Sequence, residues 1–147
     1  MARQWKSHII QSTDGGQTWT KVKTFTESYG RIELAYAPSN SQIIYASYDH
    51  ATSNSGEIYK STDGGTTGTL FSTPGHLQSQ GWYDNAIWVS PTDPDFVVIG
   101  GVDLYRSTDG GLTWKQISLW WKWPASAHAD HHAIVSHSGF NGTSNKT

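Results

Sequence analysis

Three near copies of one decapeptide constrain this chain more than any other feature: QSTDGGQTWT at 11–20, KSTDGGTTGT at 60–69 and RSTDGGLTWK at 106–115. The box serines Ser12, Ser61 and Ser107 lie 49 and 46 residues apart. A near-constant period in this range marks stacked supersecondary units, and its length suits a propeller blade of four short antiparallel strands. Aspartate followed by two glycines reads as a tight turn, because glycine accepts positive φ at little steric cost. Each box therefore predicts one hairpin corner, and one corner marks one blade.

The segments between boxes repeat in phase. GEIYKSTDGG at 56–65 matches VDLYRSTDGG at 102–111, a strand running into the turn. IELAYAPSNSQIIYASYD at 32–49 matches AIWVSPTDPDFVVIGGVD at 86–103, which reads as apolar strand, Pro-containing turn and second apolar strand. The order within a blade is strand A, Pro turn, strand B, variable loop, strand C, box, strand D. The predicted fold class is all-β, built of β-propeller blades of four antiparallel strands. One partial propeller domain covers 1–147, with a partial blade at 1–28, full blades at 29–74 and 82–118, and a partial blade at 128–147. That last piece is read from HADHHAIVSH at 128–137, where Asp130 follows Asp84 by 46 residues and Ile134 and Val135 match Trp88 and Val89 as a strand A. Mid-blade ends predict a chain incomplete as a monomer. It either self-associates through open strand edges or docks on the remaining blades of a longer parent.

Composition agrees with short strands and turns and excludes several function classes. Aromatic residues make up 13% with eight Trp, and 15 glycines accompany many Ser and Thr, a mixture suited to a pleated, half-buried surface. A net charge of -2 is not that of a basic nucleic-acid binder. Cysteine is absent, which excludes a disulfide framework and a Cys-ligated zinc site. The opening MARQWKSHIIQS lacks the apolar core and cleavage site of a signal peptide, and no apolar run reaches the length of a membrane span. The reading is a soluble chain with no export address and no membrane partner.

Within each box the residue types explain one another. Asp14, Asp63 and Asp109 are placed to accept main-chain N–H groups of their own turns, and the paired glycines, which include Gly16, Gly65 and Gly111, allow positive φ. The hydroxyls of Ser12, Ser61 and Ser107 and of Thr18, Thr67 and Thr113 are expected to satisfy further main-chain groups, and Trp19 and Trp114 to close their hairpins against the blade core. Gly68 stands where the other boxes have tryptophan, so the middle hairpin is expected to pack the least apolar area.

This S-x-D-x-G-x-T-W pattern resembles the Asp-box, or BNR, repeat of sialidases, xyloglucanase-type glycoside hydrolases and sortilin-type ten-bladed propellers. The resemblance covers almost the whole chain and extends to exported bacterial BNR-repeat proteins, in which an HADxHAI-like strand commonly follows a blade. It implies a propeller and a parent that is usually exported. It also implies structural roles for Asp14, Asp63 and Asp109, because in those families the boxes lie on the blade periphery, away from the catalytic face. The sialidase arginine triad finds no match: Arg3, Arg31 and Arg106 are the only arginines, and Arg106 adjoins a box. The strand contexts of the xyloglucanase-type catalytic aspartates are not matched at Asp84 or Asp130 either. Catalytic activity is therefore not carried over to this chain.

Function is expected instead at the starts of the A strands, which in propellers line the central channel. Blade alignment places Arg31, Asp84 and Asp130 at equivalent positions, with Glu33, Trp82, Tyr83, Asn85, His128 and His132 nearby. Aromatic rings stack on sugar faces and charged groups bond hydroxyls or carboxylates, so Arg31, Trp82, Tyr83, Asp84, His128, Asp130 and His132 form a candidate glycan-binding set. Asp84 and Asp130 are also candidates for a glycosidase acid and base, and the alternative is that they cap strands or bind channel water. His128, Asp130 and His132 would share one face of an extended strand, with His131 on the other. They are candidate ligands for a divalent metal, although same-face neighbours sit about 7 Å apart and one ion would need a bend or a ligand from another blade. No other cofactor is expected. Trp120, Trp121 and Trp123 are expected to pack between blades, with an exposed polysaccharide platform as the alternative. Asn141 and Asn145 begin glycosylation sequons that matter only on a secretory route.

The resulting reading is a propeller segment of an exported carbohydrate-binding or carbohydrate-processing protein. Whether the parent is an enzyme is left open, a glycoside hydrolase being one reading of it, and the chain by itself is expected to hold no complete active site. Two alternatives stand beside it: a small propeller that closes by self-assembly, and a sortilin-like scaffold that binds peptide or protein.

Overall fold

The computed structural model describes residues 6–28, 30–50 and 55–142; Arg3 and the Asn145 sequon lie outside them. The fold is all-β. Strands β1 (Lys6–Gln11) and β2 (Thr20–Ser28) form an antiparallel pair. β3 (Ile32–Ala37), β4 (Asn40–Asp49), β5 (Gly56–Ser61) and β6 (Thr69–Ser72) form a four-stranded antiparallel sheet in sequence order. β7 (Ala86–Val89), β8 (Val97–Gly100), β9 (Leu104–Ser107) and β10 (Lys115–Gln116) form a second sheet of the same design. These are two full propeller blades and the outer half of another.

The core lies between the two full blades. Ala37, Tyr45 and Ile58 of the first meet Val89, Val97 and Ile99 of the second, and all six are buried. β4 is buried over its C-terminal half, 45–48, because neighbouring strands pair on both edges and another blade covers its face. Tyr45 buries its ring there and donates its hydroxyl to the Pro94 carbonyl at 3.0 Å. A buried aromatic with its polar tip satisfied is a strong local anchor.

The three boxes share one hydrogen-bond pattern. Each serine hydroxyl donates to its aspartate, at 2.8 Å for Ser12 and 2.7 Å for Ser61 and Ser107. Each accepts the N–H of the second glycine, at 2.8 Å from Gly16, 2.9 Å from Gly65 and 2.8 Å from Gly111. The aspartates accept the main-chain N–H of Thr18, Thr67 and Thr113 at 2.9 Å. The threonine hydroxyls also donate to the carboxylates, at 2.6, 2.6 and 2.5 Å, rather than to the main chain as expected. Gly16, Gly65 and Gly111 hold φ of 89°, 91° and 89°, which a side chain would strain.

These bonds hold all three carboxyls down at about 2, with the threonine hydroxyls the largest cause. A depressed folded-state pKa gives stability that is present above the ordinary 3.8 and lost as pH falls toward 2. We expect Asp109→Asn to lower the thermal midpoint at neutral pH and to flatten part of the acid limb below pH 4, read by circular dichroism melts across that range. Asp14→Asn should cost less, since residues 13–20 are exposed whereas Ser107 and Gly111 are buried.

The blades are tied by a repeated polar link. Gln11, just before the first box, donates to the Gly64 carbonyl of the next box at 2.7 Å, and Lys60, its counterpart, reaches the Gly110 carbonyl at 3.4 Å. Arg106 holds the same place in the third blade, and its buried Nε has no hydrogen-bond partner among the described residues.

Four expectations are corrected. Trp114 does meet the core cluster, but it does so across the blade junction, donating Nε1–H to Ser72 Oγ of the preceding blade at 2.9 Å. Trp19 stays 59% exposed, because no preceding blade surface covers it among the described residues. Residues 128–137 join no ladder among the described residues; Asp130 has φ 74°, which breaks an extended run, and Val135 is 87% exposed. A strand forms only where a partner satisfies its backbone groups in a ladder, and here His131 N–H reaches the Gly101 carbonyl at 3.0 Å without a ladder forming around it. Finally, Trp120, Trp121 and Trp123 lie exposed on and beside a short 3-10 helix (Trp120–Lys122) rather than packed between blades.

Candidate functional site

The loop before β7 and the start of β3 bring most of the predicted mouth together. Arg31 Nε donates to Glu33 Oε1 at 2.7 Å, and its Nη1 donates to the Tyr83 carbonyl at 2.5 Å, linking the two full blades. Asn85 completes the link by donating to the Arg31 and Ser47 carbonyls at 3.3 and 3.1 Å. Arg31 is thus a structural strut as well as a half-exposed cation, while Asn85 is fully buried.

Two rings stand over this strut. Trp82 is 71% and Tyr83 45% exposed, with centroids 5.6 Å apart, and His132 packs edge-on against Tyr83 at 4.7 Å. Between Tyr83 and Asn85 the chain buries Asp84 completely, and neither carboxyl oxygen has a hydrogen-bond partner among the described residues. Burial, then the negative charge of Asp130, push its pKa up to about 6, against opposing pulls from His132 and Arg31. Such a group is a reservoir for one proton near neutral pH, the property asked of a general acid or of a carboxyl that donates to a ligand oxygen.

Asp130 and His132 are exposed and lie within electrostatic reach of Asp84. His128 goes elsewhere, edge-on against the Trp123 ring at 6.4 Å. The positive φ at Asp130 turns the chain between His128 and His132. Among the described residues no group of three His, Asp or Glu side chains converges to hold an ion, and the turn at Asp130 replaces the extended run in which His128, Asp130 and His132 would share one face.

Two buried polar anchors of this region escaped the sequence reading. His76 is fully buried in the loop after β6, with Nε2 3.0 Å from Ser47 Oγ and Nδ1 3.3 Å from the Pro74 carbonyl. Burial pushes its pKa down to about 4, so the ring is neutral. Gly56 leaves its space: a Cβ there would stand 2.0 Å from the imidazole Cε1. Asp103, also buried, accepts from Gln116 Nε2, Ser118 Oγ and the Trp120 N–H at 3.0, 3.0 and 2.9 Å, fixing the start of the tryptophan-rich segment. No periodicity marks either residue; each is defined by partners distant in sequence.

The fold and this mouth define a segment of a β-propeller. No family model matches the chain. It is similar to the xyloglucanase Xgh74A of Acetivibrio thermocellus, in two sequences of that enzyme, at 27% identity over 161 residues. The similarity takes in 89% of this chain but 18% of the enzyme, so the chain spans less than a fifth of the relative's length.

Proposed function

We propose that this chain is a glycan-binding segment of a carbohydrate-processing propeller, with Arg31, Trp82, Tyr83, Asp84, Asp130 and His132 as the binding mouth. The observation that carries the reading is the pair of exposed rings, Trp82 and Tyr83, set directly beside an unpartnered buried carboxyl. Rings of this kind offer flat apolar faces to the C–H faces of sugars, while Arg31, Asp130 and His132 offer half-exposed or exposed polar groups around them. Similarity to a xyloglucanase over most of the chain supports the same class and suggests xyloglucan as the glycan. Hydrolysis by the parent would require groups from further blades.

The test is titration calorimetry of the whole chain with xyloglucan oligosaccharides and, in parallel, with chitin oligosaccharides. We expect binding of the xyloglucan set alone, a loss of at least about ten-fold in affinity for Trp82→Ala, the equivalent of about 1.4 kcal/mol, and no release of reducing ends. Failure of the chain to bind either set, or Trp82→Ala binding as tightly as the parent sequence, would sink the reading.

A further inference from the structure

The middle box differs from its neighbours at one position, and the structure shows the consequence. In the third box Trp114 leaves the hairpin toward the preceding blade. Its ring edge lies 3.5 Å from where a Gly111 Cβ would stand, and its Nε1–H is shared between Ser72 Oγ at 2.9 Å and the Gly111 carbonyl at 3.1 Å. In the first box Trp19 makes the same internal bond, to the Gly16 carbonyl at 3.1 Å. The middle box has Gly68 at this position, and its second glycine, Gly65, has the same φ as Gly16 and Gly111 to within a few degrees.

Where the tryptophan would lie there is a cleft of about 130 Å³ between the first half-blade and the first full blade. Ile9, Val22, Leu34, Ile44, Gly65 and Gly68 line it. Val22 and Lys23, which also borders the cleft, are the counterparts of Phe71 and Ser72, one box spacing of 49 residues earlier. A Cβ built on Gly68 meets nothing within 4 Å, and its φ is not in the left-handed region, so the position is open both sterically and conformationally. The volume compares with that of engineered apolar cavities, about 150 Å³, that take up benzene.

We propose that this cleft is a binding site for a small planar aromatic molecule of the indole class. The apolar walls from Ile9, Val22 and Ile44 receive the ring. The Gly65 carbonyl, counterpart of the two that accept tryptophan N–H groups, receives the ring N–H. Lys23 Nζ, 4.8 Å from the Tyr59 ring centroid and bonded to the Gly68 carbonyl at 3.2 Å, borders the cleft at the position equivalent to Ser72. The site is independent of the channel mouth, sharing no residue with it.

The experiment is a methyl and amide NMR titration of the whole chain with free indole, repeated on Gly68→Trp and Gly68→Ala. For the parent sequence and Gly68→Ala we expect saturable shifts at Ile9, Val22 and Ile44, with a dissociation constant on the order of 1 mM. Gly68→Trp should melt higher than the parent sequence and give no indole shifts at those residues, because the added ring occupies the cleft. Absence of saturable shifts in the parent sequence overturns the proposal. So does a Gly68→Trp variant that fails to fold, melts lower, or still binds indole, since each outcome means that the space does not take an indole ring.

Discussion

Replacing Trp114 with alanine is expected to lower the unfolding free energy by about 3 kcal/mol, the lower end of the range for deleting a buried aromatic, since the ring is only partly buried. The ring packs on the cluster formed by Ala37, Tyr45, Ile58, Val89, Val97 and Ile99, so its loss opens the junction of the two full blades rather than one hairpin. Its removal also takes away the donor that Ser72 Oγ accepts, while that hydroxyl still donates to the Gly111 carbonyl at 2.6 Å. The comparison with Trp19→Ala makes the test specific. Trp19 occupies the same place in its box with the same internal hydrogen bond but is 59% exposed, so its loss should cost less than about 1 kcal/mol. Urea unfolding followed by far-ultraviolet circular dichroism measures both. Equal losses would mean that box tryptophans stabilise their own hairpins, and the interblade account would fall.

The second large effect is a pair of opposed pH dependences that conceal each other. Asp84 has its folded pKa raised from 3.8 to about 6, so the native state holds a proton that the unfolded chain releases, and stability falls as pH rises through this window. His76 has its folded pKa lowered from 6.5 to about 4, so the unfolded chain binds the proton, and stability falls as pH drops through nearly the same window. At about 1.4 kcal/mol per pH unit, each contributes roughly 3 kcal/mol across its range. The two slopes have opposite signs and offset each other between pH 4 and 6, so neither shows at its full size in the profile of the parent sequence. Asp84→Asn should uncover the histidine, with stability rising by about 3 kcal/mol from pH 4 to 6.5. His76→Gln should uncover the opposite slope. Should the buried glutamine prevent folding, the imidazole resonances of His76 in the parent sequence provide the same test, because they should stay those of a neutral ring at pH 5. An Asp84→Asn profile of the same shape as that of the parent sequence would refute the offset.

Much of this architecture is legible in the chain itself, because its determinants are local. The Asp-Gly-Gly turns need only their own serine, threonine and glycines to close, so Ser12–Thr18, Ser61–Thr67 and Ser107–Thr113 repeat one geometry wherever they stand. The apolar runs in IELAYA and AIWV, separated from the next strand by Pro turns, likewise set the antiparallel order β3 to β6 and β7 to β10. The mouth was half legible. Register alone brought Arg31 and Asp84 to equivalent positions, but it put His128, Asp130 and His132 on one strand face, which the left-handed Asp130 prevents.

What tertiary structure alone decided concerns contacts between segments far apart in sequence. Whether a box tryptophan is buried, as Trp114 is in part, or exposed, as Trp19 is, depends on which blade surface lies opposite. Whether Asp84 and His76 titrate normally depends on burial that no local pattern encodes. The sequence determines hairpins, strand order and the single missing ring at Gly68, because those follow from backbone torsions and side-chain type within a few residues. Desolvation, interblade packing and the cleft beside Gly68 arise only when separate hairpins meet, because each is a property of two surfaces in contact.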